Sequence, residues 1–183
     1  MGVSILNWHR SGIDGLAMDA SGVALVEFAI CLPFLMLLYL GSYQLQDAIA
    51  CNRKVSTTAR AIADLTSQYA TLSPGEADTI LTAGGQIMTP FAAANASYRV
   101  TQLYTDTHGV TTVQWSRAKN AVARVTGTVV TVPGTMAVNN NYLIYSEVSY
   151  NYTPIAKYGI GGAIVLADST YMSPRVSTLV RLQ

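Results

Sequence analysis

Hydrophobic positions change their spacing along the chain, and each spacing predicts a different element. From Val23 to Leu40 the sequence reads VALVEFAICLPFLMLLYL, apolar on every helical face and carrying one ionisable group, Glu27. As a helix this run is about 27 Å long, close to the roughly 30 Å hydrocarbon thickness of a bilayer. A buried helix of a small globular domain has no need to be apolar all round, so the run predicts a transmembrane segment. Beyond it the apolar positions withdraw to one stripe. Ala48, Val55, Ile62 and Tyr69 recur every seven residues, with Cys51, Thr58, Leu65 and Leu72 offset by three. This predicts a helix continuing to about residue 71, with its seam packed on a sheet of the same domain.

Ser73-Pro74-Gly75-Glu76 then combines an N-cap serine, proline at the first helical position and glutamate at the third. It predicts a second helix to about Met88, ended by Pro90 and weakened by Gly84-Gly85. The remainder alternates with period two. Ser97–Thr105 and Val110–Arg117 flank a turn, Asp106-Thr107-His108-Gly109, in which the glycine supplies positive φ. Val122–Val132 is strongly β-branched and stops at Pro133-Gly134. After a turn at Asn139-Asn140-Asn141, the residues Tyr142, Ile144, Val148, Tyr150 and Tyr152 share one face of a strand ending before Pro154. Further strands are expected over Ile164–Met172 and Val176–Leu182. A long helix followed by an antiparallel sheet is an α+β fold.

Composition narrows the function classes. Only 11% of the 183 residues are charged, against roughly 25% in an average soluble domain, and the net charge is +1. No basic stripe with interleaved aromatics exists, so nucleic acid is not an expected partner. The two cysteines, Cys31 and Cys51, stand twenty helical steps, about 30 Å, apart on the single-helix reading, too far for a bond to each other. Cys51 remains available to its equivalent in a neighbouring chain. Pro33 removes a backbone hydrogen bond in mid-span and predicts a kink or a loosened turn. Glu27 reads either as an interfacial acid that snorkels or protonates, or as the counter-charge for a cation arriving in the membrane.

The block SGVALVEFAICLPFLMLLYLGSYQLQDAI resembles the N-terminal signature of TadE-like proteins, pseudopilins of tight-adherence (Flp-type) pili. The shared pattern is Gly22, the four residues Val23 to Val26, Glu27, the aromatic Phe28, and an apolar helix with an early proline, Pro33. The stretch RKVSTTARAIADLTSQ resembles the post-membrane helix of that family, and SEVSYNYTPI and TYMSPR resemble its C-terminal part more loosely. The resemblance implies a prepilin leader, residues 1–22, cut by a prepilin peptidase between Gly22 and Val23. Gly22 and Ser21 disfavour carrying the helix backward across that bond. Residues 23–45 would then be the transmembrane helix and 46–183 an extracytoplasmic domain on the inner membrane. The leader departs from the family's basic habit, with Arg10 set against Asp14 and Asp19. A plain count of basic residues, with Arg53, Lys54 and Arg60 beyond the span, would put the domain in the cytoplasm. That rule weakens for long translocated domains.

Chemistry of other kinds is poorly represented. His9 and His108 are the only histidines, no CxxC occurs, and the acids Asp64, Glu76, Asp78, Asp106, Glu147 and Asp168 lack metal-loop spacing. Asp64 stands four residues after Arg60, the spacing of an intrahelical ion pair. Tyrosines 142, 145, 150, 152, 158 and 171 are expected to alternate between core and surface of a sheet. No enzyme, cofactor or metal site is expected. The resemblance implies a minor pilin or pseudopilin acting in pilus assembly, anchoring or surface adhesion. Its partners would be other pilins, the assembly machinery, the peptidase and the lipid bilayer. The competing reading is a single-pass membrane-anchored periplasmic binding or sensor protein.

Overall fold

The structure, a computed structural model, describes residues 20–154 and 162–183. His9, Arg10, Asp14, Asp19 and Tyr158, and with them all but the end of the expected leader, lie outside the described residues. In order come α1 (Ala20–Ser67), β1 (Thr71–Leu72), α2 (Pro74–Ile87), a 3₁₀ turn (Ala93–Asn95), β2 (Ala96–Thr105), β3 (Thr111–Lys119), β4 (Asn141–Tyr152), β5 (Ile164–Met172) and β6 (Arg181–Leu182). The chain divides into two compact units, Met1–Leu45 and Gln46–Gln183.

In the first unit every described residue belongs to α1. Its most apolar stretch reaches a mean hydropathy of 2.4 and none of it is buried. That is long and apolar enough to cross a membrane. The helix stays helical through Pro33, whose missing N–H leaves the Ala29 carbonyl without its usual partner. Ser42 folds its hydroxyl back onto the Leu38 carbonyl at 2.8 Å, so even this polar side chain is satisfied within the helix.

The second unit is an α+β domain. Its larger sheet is wholly antiparallel with strand order β3-β2-β4-β5, and β1 and β6 form a short parallel pair. One sheet face presents Tyr98 and Val100 of β2, Trp115 of β3, and Ile144, Val148, Tyr150 and Tyr152 of β4 to the helices. The α1 residues that meet this core are Cys51, Val55, Ala59, Ile62 and Ala63. The expected seven-residue seam therefore holds at Ala48, Cys51, Val55, Thr58 and Ile62 and breaks at Leu65, while Tyr69 and Leu72 reach the core from beyond the helix. Leu65 is 36% exposed, and Thr66 and Ser67 are buried in its stead. An α-helix has 3.6 residues per turn, so a strict seven-residue repeat drifts about 20° per heptad off a fixed face. Helix α1 also stops at Ser67 rather than near 71, and Tyr69 packs at the core margin.

Helix α2 begins as its sequence predicts. The Ser73 hydroxyl accepts from the Glu76 N–H, and the Glu76 carboxylate accepts from the Ser73 N–H at 2.8 Å. These bonds, that from the Ser73 N–H foremost, hold the Glu76 carboxyl below its usual range. The Gly84-Gly85 pair is not a mere weakness. Gly84 is buried against α1, where a Cβ would lie 2.8 Å from Ile62 Cδ1 and 3.3 Å from Thr58 Cγ2. Glycine is what lets the two helices approach so closely.

The hairpin turn forms as expected, with Gly109 at φ 78° and the Asp106 carboxylate accepting from the N–H groups of His108 and Val110. Strand β5 has the expected bounds. The strand predicted over Val122–Val132 is absent. This segment pairs with β3 only around one bridge, Thr112 to Val129, where Val113 N–H donates to the Thr128 carbonyl, Gly127 N–H to the Val113 carbonyl and Val130 N–H to the Thr111 carbonyl, and it turns at Gly127, whose φ is 83°. Val122 is 83% exposed, whereas Val132 is buried with Leu103, Val113 and Leu143 on the other face of the sheet. Propensity alone misled here, because a glycine in the left-handed region divides the β-branched run. Likewise, of Val176–Leu182 only Arg181–Leu182 is a strand, and Val180 is held by its carbonyl accepting from Trp115 Nε1 at 2.7 Å.

Overpacking at the α1–α2 contact is expected to be costly. Gly84→Val should lower stability by roughly 1–3 kcal/mol, since three side-chain atoms must give way. Gly75→Ala, with nothing within 4 Å of its Cβ position, should be neutral or stabilising by up to about 1 kcal/mol. Thermal unfolding of the detergent-solubilised chain checks both. Equal melting temperatures for Gly84→Val and wild type would contradict the close-approach account.

Candidate functional site

Two regions carry features that folding alone does not demand. The first is the N-terminal part of α1. Gly22, Val23, Glu27, Phe28 and Pro33 all lie on this one helix, which is already formed at Ala20. Gly22 and Val23 thus sit in helix rather than at a break, so cutting the bond between them requires the first turn to unwind. The cost is small, because a terminal turn holds few completed hydrogen bonds. Val23 and Glu27 are one turn apart on the same face. Glu27 is exposed and is the only charged side chain between Gly22 and Leu45. Phe28 is 57% exposed beside it, and Val26, Ile30 and Phe34 are each at least 60% exposed. An acid ringed by exposed apolar side chains offers one point of charge on an otherwise oily rod.

The second region is the sheet face that the helices leave uncovered. Register places Arg99 of β2 opposite Glu147 of β4, with Ser169 of β5 beyond it. Arg99 Nη1 donates to Glu147 Oε2 at 3.1 Å and Arg99 Nε to the Val122 carbonyl at 2.9 Å. Arg124 reaches the same carboxylate with Nη2 at 2.8 Å to Oε1 and Nε at 3.1 Å to Oε2. Two guanidinium groups thus share one carboxylate, all three being about three-quarters buried. The Glu147 carboxylate accordingly raises the Arg124 guanidinium further above its ordinary value. Next along the face Tyr145 and Tyr171 stack at 4.4 Å, with the Arg124 guanidinium 5.5 Å from the Tyr145 ring. Burial first, then the Tyr145 hydroxyl, pushes the Tyr171 phenol up to about 12. A concavity of about 350 Å³ opens beside this cluster.

Among the other residues singled out by sequence, Asp64 pairs with Arg175 at 2.6 Å and not with Arg60. Arg175 also donates its N–H to the Ser67 carbonyl, so it holds the C-terminal end of α1 twice. Tyr142 shares the strand face of Ile144 as expected but lies outside its core cluster, its ring tilted against that of Tyr104 with centroids 4.6 Å apart. Asp78 pairs with Arg117 at 2.6 Å, and Asp47 accepts from the Tyr152 hydroxyl at 2.8 Å. No cluster of three or more histidine, cysteine or acidic residues that could hold a metal occurs among the described residues. Both cysteines are free. Cys51 is fully buried in the core, which corrects the expectation that it stands ready to bond a neighbouring chain.

An apolar helix, long enough for a membrane, that runs on into an α+β domain is a pilin-like arrangement. The family model described as TadE-like protein matches residues 22–64, under a quarter of the chain. The matched segment holds the exposed apolar part of α1 and the buried face through Ala63. The resemblance is therefore borne out over that segment. No curated protein and no solved structure matches the chain. Sequence reasoning missed the Arg99–Glu147–Arg124 cluster, whose members stand 23 to 48 residues apart. The only sequence signal for it was the scarcity of charge, which makes any inward-leaning ion pair unusual.

Burial first and the Asp47 carboxylate second push the Cys51 thiol from an ordinary 9.0 to about 11. Below pH 9 the thiol is neutral in both folded and unfolded chains. Between 9 and about 11 only the unfolded chain gives up its proton, so stability falls across that window, by roughly 2–3 kcal/mol in all. Denaturant titrations from pH 8 to 11 on wild type and Cys51→Ala should show the extra fall in wild type alone. Parallel curves, or rapid labelling of native Cys51 at pH 7, would contradict its burial.

Proposed function

We propose that the chain is a minor pilin or pseudopilin of a tight-adherence, type IV-like pilus, and that it acts in pilus assembly, anchoring or surface adhesion. The observation that carries this reading is the TadE-like match over residues 22–64 lying on a helix whose most apolar stretch is unburied and bears one acid, Glu27. The chain sits in the inner membrane by that stretch, with the α+β domain outside the cytoplasm. A prepilin peptidase cuts between Gly22 and Val23 and frees an amine one helical turn from Glu27. In a low-dielectric environment that amine and a carboxylate, of the same chain or of a neighbour, neutralise each other. Phe28 and the flanking apolar side chains supply the packing surface for other pilins. Pro33 supplies a turn that yields when subunits pack.

The protein is a structural subunit rather than an enzyme on this reading. Its acids support that, because most are occupied in holding the fold. Asp64, Asp78 and Glu147 are in ion pairs, Asp47 accepts from Tyr152, Glu76 closes a helix cap and Asp106 closes a turn.

The tests are made in the native host. The mature wild-type chain should have the mass of residues 23–183, and Gly22→Val should stay at full length. Full-length wild type alongside a working pilus would defeat the leader assignment. Glu27→Gln should be cut and inserted normally but recovered with pilus components at about one-tenth of the wild-type level or less, equivalent to about 1.4 kcal/mol. Normal recovery would return Glu27 to the role of a tolerated interfacial acid.

A further inference from the structure

The concavity on the uncovered sheet face is framed by the Arg99–Glu147 pair and by two serines, Ser149 and Ser169, whose hydroxyls take no part in holding the fold. Its floor is the outward row of three strands. Ser97 of β2, Ser149 of β4 and Ala167 of β5 form one line across the sheet, and Arg99, Glu147 and Ser169 form the next. Ala121 stands at the side, on a turn fixed by Asn120. That residue is left-handed at φ 55°, donates from Nδ2 to the Ala96 carbonyl and accepts through its carbonyl from the Ser97 hydroxyl. The recess is thus held open by defined bonds. Small side chains keep its floor low, and the Ser149 and Ser169 hydroxyls have no hydrogen-bond partner among the described residues.

Charge decides what such a recess prefers. Glu147 accepts three hydrogen bonds from two guanidiniums, which nearly fills its capacity and leaves the trio with one uncompensated positive charge. That charge is directed at the recess through Arg99. Arg99 Nε is spent on the Val122 carbonyl and Nη1 donates once to Glu147, whereas Nη2 has no partner among the described residues. Asp168, at the border, does not cancel it. By strand alternation Asp168 shares the register of Leu166 and Met172, which pack on the helix-side core, and its Oδ1 accepts from the Ser169 N–H. A partly buried guanidinium with free donors is suited to a carboxylate, and two free hydroxyls on a shallow floor are suited to hydroxyl groups. Tyr98 and Val148 also border the recess, but their side chains belong to the helix-side core, so the apolar side chains facing it are two alanines and Tyr145, too little to hold a greasy ligand. A volume of about 350 Å³ lies at the small end of the range for small-molecule sites.

We propose that this recess binds an acidic carbohydrate, a sugar ring carrying a carboxylate. The Arg99 guanidinium meets the carboxylate, and the Ser149 and Ser169 hydroxyls meet the ring hydroxyls. The site would give the exported domain a contact with acidic polysaccharide. It lies wholly within the second unit and does not depend on whether the chain assembles into a pilus.

The test uses the full chain in nanodiscs of zwitterionic lipid, titrated by calorimetry with glucuronate, glucose and acetate. Glucuronate should bind, more weakly as salt rises, and glucose and acetate should each bind at least about tenfold less well, having lost one of the two sets of partners. Ser149→Leu, which fills the floor and leaves both guanidiniums in place, should reduce glucuronate affinity by about tenfold or more without altering the melting temperature. Arg99→Gln should do the same and should abolish the salt dependence. If Arg99→Gln fails to fold, Ser149→Leu carries the test alone. Absence of glucuronate binding, glucose or acetate binding as tight as glucuronate, or undiminished binding by Ser149→Leu would each overturn the proposal.

Discussion

The contact on which the second unit depends is the burial of one face of α1, from Cys51 to Ser67, against the sheet and α2. With 11% charged residues and both cysteines free, the domain has neither a disulfide nor an extensive ion-pair network to fall back on. Its cohesion comes from apolar side chains meeting at that face. Gly84 lets α2 settle against Thr58 and Ile62, and the inward tyrosines of β4 close the far side. Arg175 then ties the last turn of α1 to the segment after β5, and Trp115 ties β3 to Val180 near the C-terminus. The ends of the domain are secured to the same helix-and-sheet core.

The two parts of α1 differ in sequence and in burial. Up to Leu45 the helix makes no use of amphipathicity and its most apolar stretch is unburied, as suits a helix able to cross a membrane. After Gln46 a helix apolar all round would expose greasy surface, and the sequence supplies one buried face with Arg53, Lys54 and Arg60 elsewhere. Glu27 is the exception in the first part. An acid there is a cost that a purely anchoring helix would avoid, and this is the ground on which we propose a counter-charge role for it.

Much of this was legible in the sequence, for identifiable reasons. The apolar run, the Ser73–Glu76 capping box, the Gly109 turn and the bounds of β5 are local signals, and each survived because no tertiary contact opposed it. What failed was decided at a distance. The β-branched run from Val122 to Val132 could not announce that Gly127 would turn it. Leu65 fell off the buried face because helical geometry overrode the seven-residue spacing. Gly84 looked like a flaw until Ile62 was seen beside it. Asp64 found Arg175, more than a hundred residues on, in place of its near neighbour Arg60. The Arg99–Glu147–Arg124 cluster exists only through strand register and the path of one loop.

We propose that α1 anchors an extracytoplasmic domain, against the plain count of basic residues flanking the apolar run. The most direct measurement places a single cysteine at Val122, 83% exposed, in a chain with Cys31→Ala and Cys51→Ala. Intact spheroplasts of the native host are then treated with a membrane-impermeant maleimide. The account expects full labelling before lysis. Labelling only after lysis would put the domain in the cytoplasm and contradict it.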